Sequence, residues 1–352
     1  MTKINSKIKV LVVDDLSSAR AVIRKLLERD KMIEVVGEAA DGYEAIKKAQ
    51  EIKPDLITMD VRMTKMDGYK AVEEITSTDP IPIIMVTSSE ENHADLLFKA
   101  LDAGAVDLVP KPVYSSHNSE TDSIELIRKV KTLSKVRLKK VKPSDTLADS
   151  PSYPLQKPFD PSINPEILVV AASSGGPNAF RQVLSRLDTK FTAPIIIVQH
   201  INSQFFHYFL NWVKASCQLT VKKAKDGEEI KNSTVYVAPS DSHLTVSGDR
   251  KINLDSSPPW HNLRPAANRL FCSAAKVYGE RLVGVILTGM GNDGSEGAAE
   301  IKRQGGYMIS QDEESSAVFG MPGSAIENGV IDFVLPLDLI GHQLNKIFMR
   351  KR

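Results

Sequence analysis

Short apolar runs alternate with helix-like patterns along this chain, in two successive series. From Lys9 to about Lys135 the runs are Val10–Val13, Ile33–Val36, Leu56–Met59, Ile83–Val86 and Val106–Val109. Between and after them fall 3.6-residue patterns around Ala19–Leu27, Tyr43–Ala49, Tyr69–Ile75, Asp95–Leu101 and Ile124–Leu133. Strict β/α alternation predicts a parallel sheet covered by helices on both faces, with functional groups gathered at the carboxyl ends of the strands. A second series follows at Ile167–Val170, Ile195–Val198, Leu219–Val221, Val235–Val237, Val283–Leu287, Tyr307–Ile309 and Ile331–Leu335. Its helix patterns include Arg264–Tyr278, with Pro265 near the start, and Ala298–Gln304. A hairpin is expected from Leu244–Val246 and Ile252–Leu254, turning at Gly248-Asp249. The expected class is therefore α/β: a five-stranded, flavodoxin-like parallel sheet joined to a doubly wound, mainly parallel second sheet.

Length agrees, since 352 residues suffice for about two domains. Between the two series, Lys135-Val136-Arg137-Leu138-Lys139-Lys140 leads into a Pro-, Ser- and Asp-rich stretch reaching Pro165, the composition of an extended tether. The expected division is a first domain over 1–134, a linker over 135–165 and a second domain over 166–352. Such a tether would let the first domain lie on the second and move away. A net charge of +1 argues against nucleic acid as the partner. The early apolar run is cut off by Asp14-Asp15, too soon for a signal peptide, and no later run reaches membrane-spanning length. Cys217 and Cys272 both lie in helix-like stretches, so the expectation is a reduced, cytoplasmic protein without membrane insertion.

The strand ends of the first series carry Asp14-Asp15, Asp60, Thr87-Ser88 and Lys111-Pro112. Three carboxylates on one edge repel one another and suit Mg²⁺, a hard ion that also holds phosphate oxygens, while a lysine and a hydroxyl supply donors. These residues, with Asp60 inside Asp-Val-Arg-Met-Thr-Lys-Met-Asp-Gly, resemble a response-regulator receiver domain. The resemblance implies that Asp60 accepts a phosphoryl group from a histidine kinase. It implies that Asp15 and Asp60, with the Arg62 carbonyl and Asp14 nearby, hold Mg²⁺, and that Thr87 and Lys111 bind the phosphoryl oxygens. It also implies a cis Lys111–Pro112 bond. Two positions depart from the pattern: Thr64 replaces the usual proline, so a less restrained loop is expected, and Leu108 occupies the aromatic switch position.

In the second series, Ala171-Ala172-Ser173-Ser174-Gly175-Gly176-Pro177 places a hydroxyl on a tight strand-to-helix corner. Locally it reads as a nucleophile, an anion-binding cap or a plain helix cap, and serine is a common cap. His200 ends the next strand, and Asp293 follows the long run Leu282–Leu287, where it could cap the helix after Gly294-Ser295. Together the three supply nucleophile, base and orienting carboxylate. Their order differs from that of α/β-hydrolases, and Ala171 replaces the first glycine of the G-x-S-x-G elbow.

The runs Ala172-Ser173-Ser174-Gly175-Gly176, Val198-Gln199-His200 and Leu287-Thr288-Gly289-Met290-Gly291-Asn292-Asp293-Gly294 resemble the catalytic domain of CheB-type protein-glutamate methylesterases, as do Arg264-Pro265 and Val318-Phe319-Gly320-Met321-Pro322. A receiver tethered to such a domain is that family's architecture. The resemblance implies hydrolysis of glutamate γ-methyl esters on a methylated chemoreceptor through Ser173, His200 and Asp293, with the Met290 backbone amide as an oxyanion donor. Glutamine deamidation through the same acyl-serine, no cofactor for the hydrolysis, and a monomer are also expected. Departures are Ala171 for glycine, Ile201-Asn202-Ser203 for Met-Pro-Pro, and Leu263 for histidine; they surround the crevice and bear on substrate fit. Three other readings compete: a DNA-binding response regulator, for which the second half offers no basic face; a nucleotide-binding module, which lacks G-x-G-x-x-G and a P-loop; and a silent scaffold that has kept the fold.

Overall fold

The computed structural model describes residues 7–88, 94–112, 119–136 and 156–349. The chain divides into two compact units, residues 1–141 and 142–352. The basic run from Arg137 to Lys140 and the tether as far as residue 155 lie outside the described residues.

The first unit runs β1 (Ile8–Val13), α1 (Ser17–Leu27), β2 (Ile33–Ala39), α2 (Gly42–Ile52), β3 (Leu56–Met59), α3 (Gly68–Thr78), β4 (Ile83–Thr87), α4 (Ala94–Asp102), β5 (Asp107–Pro110) and α5 (Ser119–Leu133). Its strands pair in parallel in the order β2-β1-β3-β4-β5. β3 and β4 are buried along their whole length, which is why they read as unbroken apolar runs. β2 continues to Ala39, beyond the expected Val36, and its register with β1 shifts by one residue between Val10 and Leu11, where Val36 of β2 is the unpaired extra residue.

The second unit runs β6 (Ile167–Ala172), α6 (Gly176–Ser185), β7 (Ile195–Gln199), α7 (Ser203–Ser216), β8 (Thr220–Lys223), β9 (Thr234–Val237), β10 (His243–Val246), β11 (Ile252–Asp255), α8 (Ala267–Tyr278), β12 (Leu282–Ile286), α9 (Ser295–Arg303), β13 (Tyr307–Gln311), α10 (Met321–Glu327), β14 (Phe333–Leu335) and α11 (Leu337–Phe348). Seven strands pair in parallel in the order β14-β13-β12-β6-β7-β9-β8, and β10-β11 form a separate antiparallel hairpin. Strand order reverses at β6, flanked by β12 and β7, so the crevice of this sheet opens where those three strands end. Phe271 of α8 is fully buried in a core it shares with Val169, Ile196, Leu270 and Ile286. Burial of a side chain of that size contributes about 1.5–3 kcal/mol.

Two expectations change. The stretch from Gln156, assigned to the tether, packs on the second unit. Gln156 pairs with Phe333, Lys157 N–H donates to the Asp332 carbonyl (2.9 Å), and Phe159 is buried edge-on against Tyr307. The Phe159 ring and these backbone bonds, with Tyr307 O–H donating to the Lys157 carbonyl (2.6 Å), hold it there. Helix α8 begins at Ala267 rather than Arg264: Ala266 is extended and serves as N-cap, and Pro265 lies before the helix.

Candidate active site and acidic pocket

The ladder between β6, β7 and β12 continues past the strands. His200 N–H donates to the Ala172 carbonyl (3.1 Å), Leu287 N–H to the Ala171 carbonyl (2.9 Å), and Ser173 N–H to the Thr288 carbonyl (3.1 Å). These bonds bring Ser173, His200 and the loop bearing Asp293 to one edge. Gly289 is required there, because a Cβ would stand 2.9 Å from that of Ser173. The N-cap of α6 is Gly175 in the left-handed region (φ 76°), so neither serine holds the cap position, and Gly176 N–H instead closes a turn on the Ser173 carbonyl (2.8 Å).

Asp293 is buried and accepts four hydrogen bonds. Oδ2 takes His200 Nε2 (2.8 Å) and the Ala267 N–H (2.6 Å); Oδ1 takes the N–H groups of Asn268 (3.0 Å) and Gly294 (2.9 Å). The carboxylate does cap a helix, but it caps α8 from across the sequence rather than the α9 that follows it. Asn268 returns the favour to α9, its Oδ1 accepting from Gly294 N–H (3.0 Å) and Gly297 N–H (2.8 Å). Burial alone would raise the Asp293 pKa, yet the His200 bond and charge and the helix amides outweigh it and hold the carboxyl below its usual range. An ionised carboxylate only accepts, so His200 Nε2 donates in this bond. Among the described residues no hydrogen bond joins the Ser173 hydroxyl to this ring.

Behind the α8 N-terminus, His243 is fully buried. Nε2 donates to the Pro258 carbonyl (3.2 Å) and Nδ1 accepts from Ala266 N–H (3.2 Å), which requires a neutral ring. Burial, opposed by the Pro258 carbonyl and assisted by Arg269, lowers its pKa. Met290, half-buried beside Gly289, makes no backbone N–H hydrogen bond among the described residues. Thr288 holds the neighbouring loop: its hydroxyl donates to the Ser174 carbonyl (3.0 Å) and accepts from Val318 N–H (2.9 Å), while its own N–H donates to Gln311 Oε1 (2.8 Å).

In the first unit, single carboxylate oxygens of Asp14, Asp15 and Asp60 lie within 4.8 Å of one another. Lys111 Nζ pairs with Asp14 Oδ2 (2.8 Å) and Asp60 Oδ2 (2.6 Å). Thr87 ends β4 on the same edge, its carbonyl accepting the Lys111 N–H (2.9 Å). Burial raises the Asp60 pKa, and nearby Asp14 adds to it against the pull of Lys111. Lys111 shifts upward, burial being overcome by its two carboxylates. Gly68 opens α3 because a Cβ there would stand 2.0 Å from the Asp60 carbonyl oxygen. In the loop with Thr64 in place of proline, Lys65 Nζ pairs with buried Asp41 (2.6 Å), and Met66 lies against Gly42. The Lys111–Pro112 bond, expected cis, is not; the cis peptide among the described residues is Arg264–Pro265. Trans is the ordinary preference of such bonds, by about 0.5–1 kcal/mol. Leu108 is buried in β5.

Sequence reasoning missed Asn268, His243 and Gln311. Each acts on a backbone group distant in sequence, so no local pattern marks it; the one hint was a polar residue opening an otherwise apolar helix face at Asn268.

Among the described residues no helix is long and apolar enough to cross a membrane. Residues 168–344 match the family model for CheB methylesterase and residues 10–119 that for the response regulator receiver domain. The chain is 39% identical, over 97% of its length and 93% of the relative's, to a protein-glutamate methylesterase/protein-glutamine glutaminase of Pyrococcus horikoshii. It is 38% identical, over 96% of its length and 97% of the relative's, to the protein of that name from Thermotoga maritima. The crystal structure of the Thermotoga maritima CheB methylesterase catalytic domain superposes with a TM-score of 0.51 at 39% identity, covering 53% of this chain and all of that one. With its receiver domain ahead of its methylesterase domain, this chain belongs to the CheB methylesterase family.

Proposed function

We propose that the chain hydrolyses γ-methyl esters of glutamate on a methylated chemoreceptor and deamidates receptor glutamines, under the control of phosphorylation at Asp60. The observation that carries the reading is the 2.8 Å bond from His200 Nε2 to a carboxylate held ionised by three backbone amides, one strand end from Ser173. In this reading His200 Nδ1 takes the proton as Ser173 Oγ attacks the ester carbonyl, and Asp293 stabilises the imidazolium. The Met290 N–H faces the developing oxyanion. The proton passes from His200 to the leaving methoxide, methanol departs, and water cleaves the acyl-serine to restore serine and free glutamate. A glutamine side chain enters the same sequence with ammonia as leaving group.

In the receiver, Asp60 accepts the phosphoryl group from a histidine kinase. Three close carboxylate oxygens form a donor set suited to Mg²⁺, so Asp14, Asp15 and Asp60 are the residues that would hold the ion. When bound, the ion neutralises charge on the phosphoryl oxygens. Lys111, now paired to Asp14 and Asp60, would turn to the phosphoryl group, and Thr87 would donate its hydroxyl. The test is methanol release from purified methylated receptor, with and without a small-molecule phosphodonor and Mg²⁺. Release that rises on phosphorylation is expected. No release under either condition contradicts the esterase reading, and equal release under both contradicts the regulatory one.

A further inference from the structure

We infer that Gln199 is a positioning residue that sets the nucleophile's main chain against that of the base, an inference that rests on Ser173 and His200 having those roles. Gln199 closes β7 and is buried. Its Nε2 donates one hydrogen to the Ser173 carbonyl (2.8 Å) and the other to the His200 carbonyl (2.9 Å). A single NH₂ group thus spans the ends of β6 and β7 just beyond the last ladder bond, and fixes the two reactive residues relative to one another.

The other half of the amide is left unserved. Gln199 Oε1 is buried without a hydrogen-bond partner among the described residues. It lies against the Gly176 Cα, so close that a Cβ there would stand 2.0 Å away. A buried, unpartnered oxygen lowers stability, and an apolar side chain of similar length would avoid that loss. The Ser173 carbonyl would not miss the amide, because Gly176 N–H already serves it (2.8 Å). Of the two carbonyls, that of His200, on a half-buried residue, has no other donor among the described residues, and the amide's donors hold the two groups whose spacing governs proton transfer. Displacement on the scale of 1 Å at such a pair costs up to about 10²-fold in rate.

The test compares wild type, Gln199→Met and Ser173→Ala in the full chain. It measures methanol release from methylated receptor, labelling by a fluorophosphonate serine probe, and the thermal midpoint. Gln199→Met is expected to keep the midpoint, the lost donor to His200 offsetting the relieved oxygen, to lower kcat about 10- to 100-fold with KM within about twofold, and to slow labelling by the same factor. A kcat within twofold of wild type overturns the inference. So does a lowered midpoint or failure to fold, either of which makes the amide a structural part. Ser173→Ala separates the two levels: undiminished turnover in that variant defeats the reading of the site itself. A silent Ser173→Ala beside a fully active Gln199→Met defeats only the role given to Gln199.

Discussion

Asp60 and Asp293 occupy equivalent places, each buried at the carboxyl edge of a parallel sheet, yet their surroundings drive them in opposite directions. Asp60 is shifted upward, Asp293 downward. Burial acts alike on both; the donors differ. Asp293 receives three backbone amides, two of them from a helix N-terminus, and an imidazole. Asp60 shares Lys111 with Asp14 and has one backbone amide, that of Val61 (2.8 Å). One site is a satisfied anion that holds a neighbour still. The other is an under-compensated cluster of anions, as the proposed Mg²⁺ and phosphoryl site requires.

The largest expected effect comes from exchanging each carboxylate for its amide. Asp293→Asn keeps the shape but removes the obligate acceptor for His200, and in a triad such a change lowers kcat about 10⁴-fold. Asp60→Asn should leave esterase activity without phosphodonor at the wild-type level and abolish the response to phosphodonor. Kinetics of both variants on methylated receptor check the contrast, and comparable basal losses in the two would break it.

Next in size is Lys111→Met. It leaves buried carboxylates of Asp14 and Asp60 facing each other, and breaking a pair of this kind costs on the order of 3 kcal/mol. Mg²⁺ should restore much of the loss in the first unit and do nothing for the second. Thermal unfolding followed by domain-resolved hydrogen exchange measures both.

The smallest effect is the pH dependence, in which the two aspartates run in opposite senses. The Asp293 contribution is fully present above the ordinary value of 3.8 and is lost as pH falls through its lower folded value. The Asp60 contribution is present below 3.8 and is lost as pH rises through its higher folded value. His243, lowered from 6.5, makes the second unit lose stability as pH falls from there through its folded value. Protection factors at β6 and β12 should therefore fall on acidification from neutrality sooner than those at β1 and β3. Parallel loss in both units would contradict the assignments.

The strands and the edge on which the reactive residues gather were legible because apolar runs in parallel sheets are continuous, and because the residue just past each run lies at its carboxyl end. What was not legible depends on contacts across the sequence. Asp293 reads locally as the cap of α9, and only the fold reveals that it caps α8 while Asn268 caps α9. The contact of Lys65 with an aspartate 24 residues away likewise has no local mark in the sequence. Phe159 lies in a stretch whose composition reads as tether, and its ring on Tyr307, with the backbone bonds of Gln156 and Lys157, joins that stretch to the second unit.

Removing the Ser173 hydroxyl asks whether it is the nucleophile of a serine–histidine–aspartate site. Full-length wild type and Ser173→Ala are given the same methylated receptor, and methanol release is followed alongside Asp60 phosphorylation. Release should fall by about 10⁶-fold, to background, in Ser173→Ala while Asp60 is phosphorylated as in wild type. Methanol release by Ser173→Ala at near the wild-type rate would show that Ser173 is not the nucleophile.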